Sequence, residues 1–315
     1  MSLLSGAFGA AVKARNSLYD RGLLRARRLN VPVVSIGNVS VGGAGKTPFT
    51  IALGEELKKR GVRFDVLSRG YGRQTSGTLI VDPNGRSQEF GDEPLLIARK
   101  LAVPVVVSEK RYDAGIVGER EFGSELHLLD DGFQHRMLAR DFDIVLLTAR
   151  DLSDKLLPSG RLREPPTALR RADAIVMYDD LALPRGVIKN AVIWRAHREM
   201  DTSKVPPGAL AFCAIARPDT FFKQLKNAGV RTAAEFAFRD HRTYIARDVE
   251  KLQQLAKESG AREFVTTEKD VINLGSLAGQ LAPLYVVPLR TTIKDPDTVV
   301  QTLLDTLEKR RAVRA

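Results

Sequence analysis

Residues 33–50 read VVSIGNVSVGGAGKTPFT: a strand-like apolar run, a glycine-rich turn, then Gly45-Lys46-Thr47 leading into a helical segment. A chain that passes from strand to helix through such glycines is built to hold phosphate. Gly42, Gly43 and Gly45 allow positive φ, so the backbone N–H groups turn inward, and the helix that follows adds the positive end of its dipole. In a loop of this kind the lysine reaches the outer phosphates and the hydroxyl after it ligates Mg²⁺. The strict pattern G-x-x-x-x-G-K-[ST] asks for glycine at position 40, where this chain has Ser40. The match is therefore partial, and the strand before it and the apolar residues after it (Phe49, Ile51, Leu53, Leu57) complete the argument.

Outward from this stretch, short β-rich runs alternate with helical stretches as far as Ala196: Val33–Gly37, Phe64–Ser68, Val103–Val107, Leu126–Leu129, Ile144–Leu147, Ile175–Tyr178 and Val192–Arg195. That alternation predicts a P-loop NTPase-like α/β fold, a mostly parallel sheet with helices on both faces. A second, shorter series begins at Leu210, with strands at 210–215, 235–238, 264–267 and 284–288 and helices at 221–227 and 247–259. The chain has 315 residues, more than one core usually serves, so two domains are expected. The predicted division is an N-terminal helix over 1–30, a core domain over 31–201, a linker over 202–209 around Pro206-Pro207-Gly208, a smaller α/β domain over 210–294 and a C-terminal helix over 295–315.

Composition narrows the partners. Net charge is +11 and the isoelectric point is near 9.8, which favours anions: nucleic acid, anionic lipid or phosphorylated substrates. The single cysteine, Cys213, lies in the apolar run 210–215, which argues against disulfides and suits a reducing compartment. No apolar run approaches the ~18–20 residues of a membrane-spanning helix. Residues 1–30 carry six basic side chains (Lys13, Arg15, Arg21, Arg25, Arg27, Arg28) against one acid, Asp20, with Leu4, Phe8, Val12, Tyr19 and Leu23 at roughly helical spacing. Two readings stand for this basic amphipathic helix: lying on an anionic membrane surface, or packing on the protein's own core.

Chemistry-bearing residues cluster in short motifs. Asp130-Asp131-Gly132-Phe133-Gln134-His135 follows a buried strand, where phosphate-loop enzymes keep their metal-binding and water-orienting carboxylates. Gly91-Asp92-Glu93-Pro94 opens a helix; its acids either complement the helix dipole or accept the proton of an attacking alcohol. Asp240-His241 lies between elements of the second series, a site for catalysis or simply for a surface imidazole. Arg111 and the pair Arg161 and Arg163 offer guanidiniums suited to phosphate, or to solvent.

Taken in order, GNVSVGGAGKTP, LSRGYGR, GDEP, DDGFQH, LREP, the DH within FRDHRTY, and VTTEKD resemble the tetraacyldisaccharide 4′-kinase family over roughly residues 10–290. The resemblance implies ATP-dependent phosphorylation of the 4′-hydroxyl of a tetraacyl glucosamine disaccharide 1-phosphate to give lipid IVA in lipid A biosynthesis, at the cytoplasmic face of a Gram-negative inner membrane. It implies that Ser40, Val41, Gly42, Gly43, Ala44, Gly45, Lys46 and Thr47 cradle ATP, with Arg111, Arg163 and Glu164 near nucleotide and substrate. Thr47, Asp130, Asp131 and Gln134 would surround Mg²⁺, with Asp131 and Lys46 at the transferring phosphate. Asp92 would act as base with His241 behind it, drawn together from two domains, the smaller one closing over ATP and the C-terminal helix returning to the core. One departure falls at Ala214-Ile215-Ala216-Arg217-Pro218, where the family commonly has glycine two residues before the proline. Two other readings fit less well: an ATP-driven switch that positions cargo, disfavoured because Val41 stands where its signature lysine belongs, and a basic nucleic-acid binder, disfavoured by 6% aromatic content without a stacking platform.

Overall fold

The computed structural model describes residues 3–178 and 191–313. Of the predicted elements, residues 1–2 of the N-terminal helix, 179–190 of the core domain and 314–315 of the C-terminal helix lie outside the described residues. The strands are β1 (Val33–Asn38), β2 (Phe64–Ser68), β3 (Leu79–Ile80), β4 (Val105–Val107), β5 (Leu126–Asp130), β6 (Phe142–Leu147), β7 (Ala174–Tyr178), β8 (Val192–Met200), β9 (Ala209–Cys213), β10 (Thr232–Ala237), β11 (Phe264–Thr267), β12 (Leu284–Val287) and β13 (Leu289–Ile293). Nine of them form a large sheet in the order β13-β8-β7-β6-β1-β5-β2-β4-β3, and four form a small sheet in the order β10-β9-β11-β12. Every pairing is parallel except at the two ends of the large sheet, where β3 and β13 run antiparallel to β4 and β8.

β1 lies between β5 and β6, with Ile36 in register with Asp130 and with Ile144. The phosphate loop and the acidic motif therefore leave the same carboxyl edge side by side, where ligands of open α/β sheets bind. All six residues of β1 are buried. Covered on both faces, the strand puts Val33, Val34 and Ile36 on both sides of the sheet, which is why it reads as a run and not as an alternation. Val34 and Ile36 join the core under the helices α2 (Lys46–Lys59) and α4 (Asp92–Leu101), whereas Val33 faces Ala114 of α5 (Arg111–Phe122) on the other side. Pro48 sits in the first turn of α2, where its missing N–H is no loss.

Gly37 marks a closer approach. A β-carbon there would stand 2.5 Å from Cβ and 2.8 Å from the backbone N of Phe133, so the acidic motif presses directly on the strand that feeds the phosphate loop.

Two short strands, β3 and β13, stand where the sequence pattern predicts none. β13 extends the large sheet beside β8, so residues 289–293 pair with 196–200 and not within the small sheet. The final helix α9 (Pro296–Ala312) buries Val299, Val300, Leu303 and Leu307 in the large-sheet core. The N-terminal helix α1 spans Leu3–Asp20, short of residue 30: Gly22 takes φ 70°, and Arg27 then pairs with Leu138 as an isolated bridge. One face of α1 packs on the protein, with Ser5 buried and bonded to Ser159 Oγ at 2.7 Å. Leu4, Leu18, Leu23 and Leu24 stay exposed.

Candidate active site

The phosphate loop has the cradle its glycines predict. Gly42, Gly43 and Gly45 take φ 72°, 61° and 84°, and Gly45 caps α2. Lys46 Nζ lies 3.2 Å from Asn38 Oδ1 and 3.3 Å from Asp131 Oδ1, so the lysine is already turned back over the loop toward the neighbouring strand. Thr47 is buried behind it. Arg163 Nη1 holds both oxygens of Asp131, at 3.1 and 3.2 Å. Burial pushes the Asp131 carboxyl up, but Lys46 and Arg163 beside it hold it net below the usual range. Asp131 takes φ 50°, a left-handed backbone that aspartate tolerates and that turns its side chain toward the loop.

Asp130 behaves differently. It is buried at the end of β5, accepts from Thr50 Oγ1 at 3.3 Å, and is pushed up to about 7, first by burial, then by the charges of Glu93 and Asp131. The motif that opens α4 thus acts electrically on the acids beside the phosphate loop. Arg111, also buried, is lowered to about 10 by burial and by Arg69, and its Nε has no hydrogen-bond partner.

Gln134 and Glu164 brace the site. Gln134 Nε2 donates to Asn38 O at 2.8 Å and to Glu164 Oε1 at 3.2 Å, while its Oε1 accepts from Arg163 at 3.3 Å. Glu164 is 2% exposed and held by Arg171 at 2.8 and 3.0 Å and by Asn16 of α1 at 2.7 Å. With its oxygens so engaged, Glu164 ties α1 to the loop over 161–164.

The second cluster joins two sheets. Asp92, at the first turn of α4, receives Nδ1 of His241 at 3.1 Å across 149 residues of chain. Its other partners are Asn273 Nδ2 at 3.0 Å, Lys269 Nζ at 3.5 Å and the backbone N of Glu93 at 2.8 Å. Burial alone would raise this carboxyl, but His241, Lys269 and Asn273 hold it down at about 2. His241 is shifted upward in turn: burial and the Lys269 charge oppose its protonation, but the Asp92 hydrogen bond together with the charges of Asp92 and Asp240 outweighs them. Its backbone sits at φ 57°, and its ring lies 4.9 Å from that of exposed Tyr71. Strain at a non-glycine residue, held by a surrounding network, is common at working sites.

Lys269 and Asn273 belong to α8 (Glu268–Leu274), and the sequence pattern by itself assigns neither a role. Lys269 also pairs with Glu93 at 3.2 Å, and its ammonium is shifted upward, burial being outweighed by the two acids. The VTTEKD motif contains Lys269, so a signal existed, but nothing in its spacing shows that α8 packs on the opening turn of α4.

The cradle, its buried unpartnered Arg111 Nε and the oxygen-rich set of Thr47, Asp130 and Asp131 suit a polyphosphate and a hard divalent cation. The described residues hold no group of three or more His, Cys, Asp or Glu side chains able to cage a metal on their own. Magnesium needs no such cage, since it usually takes one or two carboxylates plus substrate phosphates and water.

A phosphate loop whose lysine faces an acid from the adjacent strand, on a mostly parallel sheet, defines the class: a P-loop NTPase-like protein. The tetraacyldisaccharide-1-P 4′-kinase (LpxK) family profile matches residues 1–308, and the chain belongs to that family. It is 48% identical to the tetraacyldisaccharide 4′-kinase of Koribacter versatilis (strain Ellin345), over 99% of this chain and 100% of that one. The enzyme of the same name from Aquifex aeolicus (strain VF5) is 40% identical over 88% of this chain and 90% of its own. A crystal structure of LpxK from Aquifex aeolicus, described as an "apo" form in complex with ATP, superposes with TM-score 0.78 at 34% identity, covering 96% of this chain and 97% of that one.

Proposed function

We propose that this chain transfers the terminal phosphoryl group of ATP to the 4′-hydroxyl of tetraacyldisaccharide 1-phosphate, forming lipid IVA in lipid A biosynthesis. The observation that carries the reading is the contact of Asp92 with His241, 3.1 Å across two sheets, beside a loop whose Lys46 lies 3.3 Å from Asp131. A proton acceptor and a phosphate cradle are what an alcohol kinase has to bring together.

Each residue then has a task. The N–H groups of 42–47 and the Lys46 ammonium hold the outer phosphates, and Arg163 and Arg111 add charge around them. Thr47, Asp130, Asp131 and Gln134 would surround Mg²⁺, which when bound neutralises charge on the β- and γ-phosphates. Asp92 orients the attacking hydroxyl and takes its proton on a carboxylate oxygen. A carboxylate held at about 2 is a weak base, yet weak suffices, because in a loose phosphoryl-transfer transition state the nucleophile needs alignment more than early deprotonation. His241 fixes the orientation of Asp92, and Lys269 and Asn273 keep it ionised.

The enzyme is peripheral to the cytoplasmic face of the inner membrane in this reading. Among the described residues no helix is long and apolar enough to cross a membrane. Leu18, Leu23 and Leu24 are exposed among the basic residues of 13–28. Such a patch suits an anionic lipid surface. The proposed domain division assigns the small sheet to a unit that closes over ATP, on the connection made by β8 and β13.

Thin-layer separation of products from γ-labelled ATP and the disaccharide tests the function. One labelled lipid is expected; no labelled lipid, with folded protein and magnesium present, rejects it.

A further inference from the structure

We infer that Arg217, carried by the small sheet, is a third-party clamp on the outer phosphates of the nucleotide, completing the cradle only when the two sheets meet. The inference rests on the kinase reading for the identity of the anion and extends it to a residue that neither the motifs nor the loop pattern singles out.

The three left-handed glycines of the loop are each approached by a guanidinium from a different element. At Gly42, a β-carbon would stand 3.0 Å from Arg161 Nη2; at Gly43, 2.8 Å from Arg217 Nε and 2.9 Å from its Cδ; at Gly45, 2.8 Å from Arg198 Nη1. Two of these arginines have evident anchors. Arg161 Nη2 donates to Val41 O at 3.1 Å, and Arg198 stacks 3.8 Å over Tyr178, whose hydroxyl donates to Gly45 O at 3.1 Å. Arg217 differs: its Nε is buried without a hydrogen-bond partner. Its surroundings are mainly cationic, with Arg161, Arg150 and Arg198 disfavouring its charge after burial itself, against the opposing influence of Asp151. A buried N–H with no acceptor is costly, and three guanidiniums gathered on one glycine-rich loop repel one another unless an anion joins them. A guanidinium fork matches phosphate oxygens.

The route by which Arg217 arrives matters. It stands at the N-cap of α6 (Pro218–Asn227), in the turn that leaves the carboxyl end of β9. The same turn presents Ala216, whose Cβ lies 3.0 Å from the place where Gly42 would carry one. The carbonyl of Ala214 in that turn accepts from the backbone N of His241 at 3.2 Å, and its N–H donates to buried Asp270 at 2.8 Å. Arg217 and His241 therefore ride on one edge of the small sheet. A movement that seats Arg217 on Gly43 also brings His241 to Asp92, so phosphate binding and assembly of the proton acceptor are coupled through the same contact.

Nucleotide affinity measured by calorimetry on wild type, R217A and R217K, with ATP, inorganic tripolyphosphate and AMP, tests this. Loss of a charge-assisted contact predicts that R217A weakens ATP and tripolyphosphate at least about tenfold while AMP is unchanged, and R217K recovers part of the loss. kcat for lipid phosphorylation should fall with R217A as well. Wild-type ATP affinity in R217A overturns the inference, and so does an equal loss for AMP, which would place Arg217 at the nucleoside. Should R217A not fold, the same comparison between wild type and R217K decides. A wild-type protein that binds tripolyphosphate through Arg217 yet phosphorylates no lipid would reject the kinase reading and leave this one standing.

Discussion

Replacing Asp92 by asparagine removes a charge at nearly constant shape, and the structure sets the size of the effect. The carboxyl is 4% exposed and held at about 2 in place of 3.8, so its ionised form stabilises the folded state at neutral pH by about 2 kcal/mol. Because the folded value is the lower one, that stability is present above pH ~4 and is lost as pH falls through about 2. In Asp92→Asn, the His241, Asn273 and Lys269 groups meet a neutral amide, one side of which is itself a donor. Urea denaturation at pH 7 should show the variant less stable by about 2 kcal/mol, and the gap should narrow as the pH is lowered from 5 toward 2. The chemical step should suffer separately: kcat for labelled phosphate transfer is expected to drop roughly 10²- to 10⁴-fold with little change in the KM for ATP. His241→Ala acts on the same step, so the double variant should lose much less than the product of the single losses. Wild-type turnover in Asp92→Asn, or fully multiplicative losses in the pair, would refute the assignment.

Lys269→Met leaves Asp92 and Glu93 without their shared ammonium; stability should fall by about 3 kcal/mol and kcat at least about tenfold, measured by urea unfolding and turnover. Gly37→Ala drives a β-carbon into the Phe133 backbone and should cost about 1–3 kcal/mol or more in overpacking; an unchanged melting temperature would contradict the close approach. The paired change Leu23→Glu and Leu24→Glu should abolish sedimentation with vesicles containing anionic lipid while leaving ATP affinity intact. It is a cleaner test than deleting α1, since Arg15 donates to Gln134 O at 2.9 Å and Asn16 to Glu164, so removing the helix would also disturb the site.

What the order of residues determined by itself is local. Apolar runs such as 33–37 and 126–129 specify buried strands, the glycines of 42–45 specify a left-handed turn, and Lys46-Thr47 follows it in the only place where the turn can use them; each depends on neighbours a few positions away. β3 and β13 carry little local signal because the first has two residues and the second, Leu-Arg-Thr-Thr-Ile at a sheet edge, holds three polar residues in a row. The family resemblance pairs Asp92 with His241, but tertiary structure alone decided the insertion of Lys269 and Asn273 beside them and the placing of Arg217 against Gly43. These contacts join residues more than 140 positions apart, and no local preference encodes which strand ends and helix termini will face one another. That choice follows from sheet order and from the packing of helices on both faces, which only the folded chain as a whole makes favourable.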